Sequence, residues 1–319
     1  SIPNQYVINN DETLAAQHKA DEIRAAWEMW ALDDATRRDI VQERYNELFN
    51  GFVAPKYDGS RLPLNGCALD LYSSQRNAVA RAIFDKTMLA DHCVGAGKTN
   101  FMVAFAHELR RINKNERVVL VAPNHLISQH AAAAQFLFPG LNVLVVDKKQ
   151  MAPATRRTAL ARLAISDFDL CIIPLSVFGL IPAPIEMQME LINKEMSAMH
   201  DAMAALSGNK FSVRDIQKRL KRKEEQLEAL TAKQTDDFLD FSSLRITALV
   251  VDESQFAKNL AYSSSLTNVA GLGNPEGSQR AFDLYVKSRC VLRAGGRYIK
   301  ATGTPILNSV VEAHRHLRF

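Results

Sequence analysis

The chain has 319 residues, 47% of them hydrophobic and 23% charged, with a formal net charge of +4 and a pI near 8.8. That is enough apolar content for one large core or two modest ones, in a composition ordinary for a soluble globular protein. Four widely spaced cysteines without a C-x-x-C pair exclude a zinc site by spacing. With no apolar run of about eighteen residues and no signal-peptide pattern, a soluble, non-secreted, cytoplasmic protein is expected. The mild basicity permits a nucleic-acid partner without arguing for one.

Residues 1–66 read as a lead-in. Apolar residues recur at helical spacing from Arg37 to Phe49, predicting a helix that packs on the main domain, and 55–66 is a loop or short hairpin rich in proline and glycine. Gln75 stands just before a helix over 77–84. Its amide offers one acceptor and a donor pair, which suits an adenine edge, although a solvated glutamine at a helix start would look the same.

The stretch TMLADHCVGAGKTN at 87–100 organises the rest. Its apolar run ends a buried strand, which meets the turn Gly95-Ala96-Gly97, then Lys98, Thr99 and a helix over 101–111. A strand, a glycine turn and a helix N-terminus make a phosphate cradle, because glycine lets backbone N–H groups approach phosphate oxygens without a Cβ in the way. In such a cradle Lys98 reaches the β- and γ-phosphates of ATP and the Thr99 hydroxyl holds Mg²⁺. The full G-x-x-x-x-G-K-[ST] pattern asks for glycine where this chain has His92, so the string is shortened to GxGKT. A loop that merely looks like a phosphate site is the competing reading. Cys93 beside it reads as a small buried residue.

Strands over 117–123, 142–146 and 169–174 then alternate with helices over 124–137 and 154–165. Continuous Val/Ile/Leu strands separated by helices predict an α/β fold, a parallel sheet covered by helices on both faces. Ligands in such sheets sit beyond the carboxyl ends of the strands, where Gly95 to Thr99, Pro123 to His125 and Leu175-Ser176 all fall. Residues 182–240 break the pattern. Ile192, Met196, Met199 and Met203, a turn at Ser207-Gly208-Asn209, then Ile216, Leu220, Leu227 and Leu230 predict an antiparallel helical hairpin. Lys223 stands where one apolar residue is expected. The seam would hold the hairpin as an independent arm, and its cluster Lys218, Arg219, Lys221, Arg222 and Lys223 is either a DNA-backbone contact or a solvated face.

The strand at 246–251 ends in Asp252-Glu253. With GxGKT upstream, this pair reads as the second half of a nucleotide site: Asp252 binds Mg²⁺ through water, and Glu253 orients and deprotonates the attacking water. A last strand over 297–301 leads into Thr302-Gly303-Thr304-Pro305.

The order Gln75, GAGKT, APNHLISQ at 122–129, VVDES at 250–254 and ATGTPILNS at 301–309 resembles the first motor domain of superfamily-two helicases. The TGTP turn and Lys258-Asn259 look most like the Swi/Snf-type DNA translocases. More narrowly, YNELFN, YDGS, VGAGKT, VAPNHL, the helical insertion and GSQRAFDLY resemble the helicase part of phage and plasmid proteins that join a DNA methylase to a helicase. Some of those are linked to defence of phage DNA against host restriction.

The resemblance implies a RecA-like ATP-binding domain over 67–319, with the hairpin as an insertion, acting as a DNA-dependent ATPase with Mg²⁺ on double-stranded DNA. It places a phosphate-backbone contact at Asn124 and His125, and coupling between nucleotide and DNA at Gln255, Thr302, Gly303 and Thr304. Where the family reads DEAH or DEAQ this chain reads DESQ, so coupling rests on Gln255. The resemblance also implies a second motor domain bearing an arginine finger beyond Phe319, so this chain alone is expected to be a weak ATPase or none. No Asn/Asp-Pro-Pro-aromatic methylase string occurs. A docking module with a weak nucleotide site and an RNA helicase are the alternatives; TGTP in place of a SAT-type turn favours DNA.

Overall fold

Parallel strands form where helices cover both faces of the sheet, and the described residues supply six of them, the central ones runs of Val, Ile and Leu. They are β1 (Thr87–Asp91), β2 (Val118–Ala122), β3 (Val143–Val145), β4 (Leu170–Pro174), β5 (Ala248–Val251) and β6 (Arg297–Thr302). In the computed structural model they make a single parallel sheet in the order β1-β6-β5-β2-β4-β3. The structure describes residues 10–51, 55–205, 210–232, 239–257, 259–261, 277–306 and 310–319. Lys258, the turn at Ser207-Gly208-Asn209 and residues 307–309 at the end of the ATGTPILNS string lie outside the described residues.

Helices α3 (Ser73–Phe84), α4 (Lys98–Ile112) and α5 (Ile127–Leu137) cover one face through Val79, Phe101, Phe105 and Leu137. The other face is covered by α6 (Arg156–Ile165), α7 (Leu175–Phe178) and α10 (Gln279–Arg293), around Phe168, Phe178 and Tyr298. The α/β fold with helices on both faces, expected of a RecA-like domain, is therefore present. The chain divides into two compact units, Ser1–Lys56 and Tyr57–Phe319. The first contains α1 (Asn10–Asp33) and α2 (Ala35–Tyr45), where the Arg37 guanidinium stacks 4.2 Å from the Trp30 ring centre. No described helix is long and apolar enough to cross a membrane.

The insertion is a pair of packed antiparallel helices, α8 (Ile185–Ala205) and α9 (Lys210–Ala232), with Met199 against Ile216 and Leu220. It is not an independent arm. Met187, Leu191 and Ile192 form a shared core with Phe282 and Val286 of α10, and both Arg293 guanidinium nitrogens meet Glu190 at 2.7 Å. Arg293, with Lys194, holds the Glu190 carboxyl down to about 2. The polar interruption at Lys223 is satisfied in place: Nζ pairs with Glu195 at 2.8 Å and lies 5.1 Å from the Phe282 ring centre.

Strand β6 buries a cation. Lys300 donates to the His316 carbonyl of α11 (Val310–Arg318) and lies 5.0 Å from the Phe319 ring centre. Burial pushes its ammonium from 10.5 down to about 7. Between those values the unfolded chain holds a proton that the folded chain has released, so stability rises with pH across the window. Lys300→Met lacks that dependence. In denaturant titrations its advantage over wild type is expected to be widest below about pH 7 and to close towards 10.5. A gap that ignores pH would show that Lys300 keeps its ordinary proton affinity in the fold.

Candidate active site

Beyond the carboxyl end of β1 the chain turns sharply. The Ala96 N–H donates to the Cys93 carbonyl at 3.2 Å, and Gly95 and Gly97 take φ of +86° and +77°, which L side chains rarely adopt. Gly97 is the N-cap of α4, so Lys98 and Thr99 open that helix with its unpaired N–H groups towards the turn. A Cβ at Gly97 would collide with Gln75 Nε2. The glycines are thus favoured by backbone angle, and at Gly97 any Cβ would also displace the Gln75 amide.

Gln75 is buried within the first turn of α3, because the helix begins at Ser73 and not after the glutamine. Its Oε1 accepts from the Tyr72 N–H at 3.0 Å and its Nε2 donates to the Ala96 carbonyl at 3.0 Å. Both ends of the amide are engaged within the chain, one on its own helix and one on the glycine turn. Reading an adenine edge would require exchanging these bonds.

The Lys98 ammonium donates to the His92 carbonyl at 3.2 Å, so the side chain folds back over its own loop. His92, in the place of the missing glycine, sets its ring edgewise on Phe101 with centroids 5.7 Å apart. Burial first, and Lys98 second, lower its proton affinity below the usual histidine value. Cys93 is exposed, not buried as the sequence suggested, because the loop turns it outward next to Val94.

Two strands away, β5 delivers Asp252 and Glu253. Asp252 is buried, with Oδ1 accepting from the Glu253 N–H at 2.9 Å and Oδ2 facing His130 Nε2 at 2.9 Å. A carboxylate only accepts, so the imidazole donates from Nε2. His130 comes from α5 and was not read as a site residue. A lone histidine among alanines carries no signal until the fold sets it beside β5. Glu253 takes φ of +49°, a strained value for a non-glycine residue.

Between β1 and β5 lies β6, which ends in the TGTP turn. Gln255 Nε2 donates to Glu253 Oε2 at 2.7 Å, Thr302 Oγ1 donates to Gln255 Oε1 at 2.7 Å, and the Thr304 N–H donates to Thr302 Oγ1 at 3.1 Å. A continuous hydrogen-bonded chain therefore runs from the second acid to the turn. The turn also touches the glycine loop, since His92 N–H donates to the Thr302 carbonyl at 3.3 Å and a Cβ at Gly303 would stand 3.2 Å from Lys98 Nζ. The structure brings Gly95 to Thr99, Asp252, Glu253, Gln255 and Thr302 to Thr304 to the carboxyl ends of the neighbouring strands β1, β6 and β5, with Gln75 bonded to the glycine turn.

The remaining candidates lie elsewhere. Asn124 and His125 are exposed beyond β2, and Asn124 Oδ1 accepts from the Ser176 N–H and Oγ at 3.3 and 3.0 Å. Lys218 and Arg222 are exposed on α9, whereas Arg219, half-buried, lines with Arg222 a cleft against Ser278 and Gln279.

Two family comparisons match the chain. A domain of unknown function (DUF8437) matches residues 2–51, and the probable helicase domain matches residues 84–319. The chain belongs to the probable helicase domain family. Gln75 lies ahead of the matched helicase span. Among solved structures, this helicase domain is similar to the Sulfolobus solfataricus SWI2/SNF2 ATPase core in complex with dsDNA, at 14% identity and TM-score 0.40, covering 83% of this chain and 37% of that one. It is also similar to the UvsW helicase of bacteriophage T4, at 9% identity and TM-score 0.39, covering 86% and 64%. The chain thus spans less than two thirds of either structure's length. No curated protein matches it.

The donor set of the helicase domain suits Mg²⁺ and nucleotide only together. Among the described residues no three His, Cys, Asp or Glu side chains could hold a metal by themselves. The Thr99 hydroxyl and the Asp252 carboxylate would offer two oxygens to Mg²⁺, with phosphates and water supplying the rest, and the N–H groups of the glycine turn would face the phosphates and not the metal.

Proposed function

We propose that this helicase domain is the ATP-binding motor of a DNA-dependent helicase or translocase. The hydrogen-bonded chain from Glu253 through Gln255 to Thr302 and Thr304 carries the reading, because it joins the water-activating acid to a surface turn beside the phosphate loop. Bound Mg²⁺ would neutralise charge developing on the transferred phosphoryl group. The chain's own residues do the rest. Lys98 leaves the His92 carbonyl for the β- and γ-phosphates, Gly95 to Gly97 present backbone N–H groups, and Thr99 and Asp252 hold the metal. Glu253 orients the attacking water and takes its proton, with Gln255 fixing the carboxylate. Asn124 and His125, with Lys218, Arg219 and Arg222 of the insertion, meet the phosphate backbone of double-stranded DNA.

In this reading residues 67–319 are the motor domain, 182–240 its insertion and 1–66 a lead-in. A second RecA-like domain supplies the arginine that completes the cleft, and the whole belongs to a phage or plasmid methylase–helicase protein. An arginine finger is worth about 10³ to 10⁵ in rate. ATP hydrolysis by this chain alone is therefore expected near background, and DNA-stimulated in a protein that includes the second domain. Steady-state phosphate release with and without duplex DNA measures both. Fast hydrolysis by this chain alone, indifferent to DNA, would overturn the reading.

A further inference from the structure

The opposite edge of the sheet from the phosphate loop has a built surface of its own. Strand β3 pairs only with β4 among the described residues, leaving its outer edge without a strand partner. The Val146 N–H donates inward to the Ile172 carbonyl at 3.1 Å. Backbone groups alternate sides along a strand, so those of Val145 point outward. Beside this edge, between β3 and α6, runs a groove of about 620 Å³, within the size range of ligand sites. Leu144, Val146, Ala159 and Leu163 line it with apolar surface, and Lys149 and Arg162 stand exposed on its rim.

Charge is concentrated at the same place. Residues 146–166 carry Lys148, Lys149, Arg156, Arg157 and Arg162 against Asp147 alone, a net of +4 equal to that of the entire chain. An apolar slot next to free strand hydrogen-bonding groups fits an added strand, whose alternate side chains enter the slot while its backbone extends the ladder. Among the described residues no aromatic side chain lines the groove, so they offer none of the stacking platform that single-stranded nucleic acid uses. We propose that this edge binds an extended segment of a partner protein flanked by acidic residues, its backbone on β3, its alternate apolar side chains in the slot and its flanking carboxylates on Lys149 and Arg162 at the rim. The inference is independent of the nucleotide site, which lies at the other end of the sheet.

The probe is a fluorescent peptide of about ten residues, alternating valine and threonine in its centre with two glutamates at each end, followed by polarisation. Its counterparts are the same peptide with lysine for glutamate and a single-stranded oligothymidine. Wild type is expected to bind the glutamate peptide and not the lysine one. Lys149→Glu with Arg162→Glu is expected to lower affinity at least about tenfold, since like charges then face each other. Ala159→Trp fills the slot without changing charge and is expected to act as strongly. Val145→Pro removes an outward N–H at a position where an edge strand tolerates proline, and is expected to weaken binding too. Circular dichroism checks that each variant is folded. No binding of the glutamate peptide by wild type overturns the proposal, as does binding that Ala159→Trp leaves unchanged, which would be charge attraction alone. Oligothymidine binding lost in Ala159→Trp would make the groove a nucleic-acid site instead and overturn it equally.

Discussion

Lys98→Ala is expected to abolish measurable nucleotide binding, while Glu253→Gln binds nucleotide as wild type does. The difference follows from where the two groups act. Lys98 would bring a full positive charge against the β- and γ-phosphates inside a half-buried turn, and removing one partner of such a pair costs about 2–5 kcal/mol. That corresponds to about thirtyfold or more in affinity. The lysine has only a 3.2 Å contact to the His92 carbonyl to give up. Glu253 is engaged by Gln255 and acts on water, so exchanging its carboxylate for an amide removes a proton acceptor and leaves the phosphate cradle intact. Titration with a fluorescent ATP analogue in Mg²⁺ separates the two variants. Equal affinity of Lys98→Ala and wild type would remove the glycine turn from consideration as a phosphate site.

His130→Phe is expected to do double damage, and His130→Gln much less. Phenylalanine fills the space but leaves the buried Asp252 Oδ2 without its donor, and breaking a buried pair from one side costs about 3–5 kcal/mol of stability. The same hydrogen bond orients the carboxylate that would hold the metal's water, and loss of such an outer partner typically weakens metal affinity about 10- to 100-fold. Glutamine can offer an N–H from a similar reach. Urea titration measures the first effect. The Mg²⁺ concentration at half-maximal nucleotide binding measures the second, a readout that a purely structural histidine would leave alone. An unchanged Mg²⁺ midpoint in a folded His130→Phe protein would confine His130 to a packing role.

The sheet was readable because its central strands β2, β4 and β5 are apolar on both faces and short. Strand ends could then be located, and with them Gly95 to Thr99, Asp252 and Thr302. Less could be read where meaning depends on a distant partner. Gln75 looked like a residue ahead of a helix, yet Ser73 and Ser74 start that helix earlier and the amide closes on Ala96, twenty-one positions on. His130 had nothing beside it in sequence; its partner is 122 positions away. The Met-rich seam on α8 and α9 was visible from its period, but that period is silent about the second contact, with Phe282 and Val286, that fixes the hairpin to the body. What the gathered residues bind is a matter of chemistry at the loop, not of pattern, and rests on the titrations above.

The strand order has a bearing on how the protein is made. β1 lies at the margin of the sheet and its one neighbour there is β6, so Thr87 aligns with Tyr298 and Asp91 with Thr302. Contacts that far apart in sequence form late, after the entropy of closing the intervening loop has been overcome. A ribosome delivers the glycine turn early, but the ladder that anchors it arrives some two hundred residues afterwards. Until then β2, β4, β5 and β3 can zip together as a preformed block, while the loop that would grip phosphate hangs from an unpaired strand. On that order, the proposed competence for nucleotide is deferred until the strand carrying Thr302 has slotted between its two neighbours.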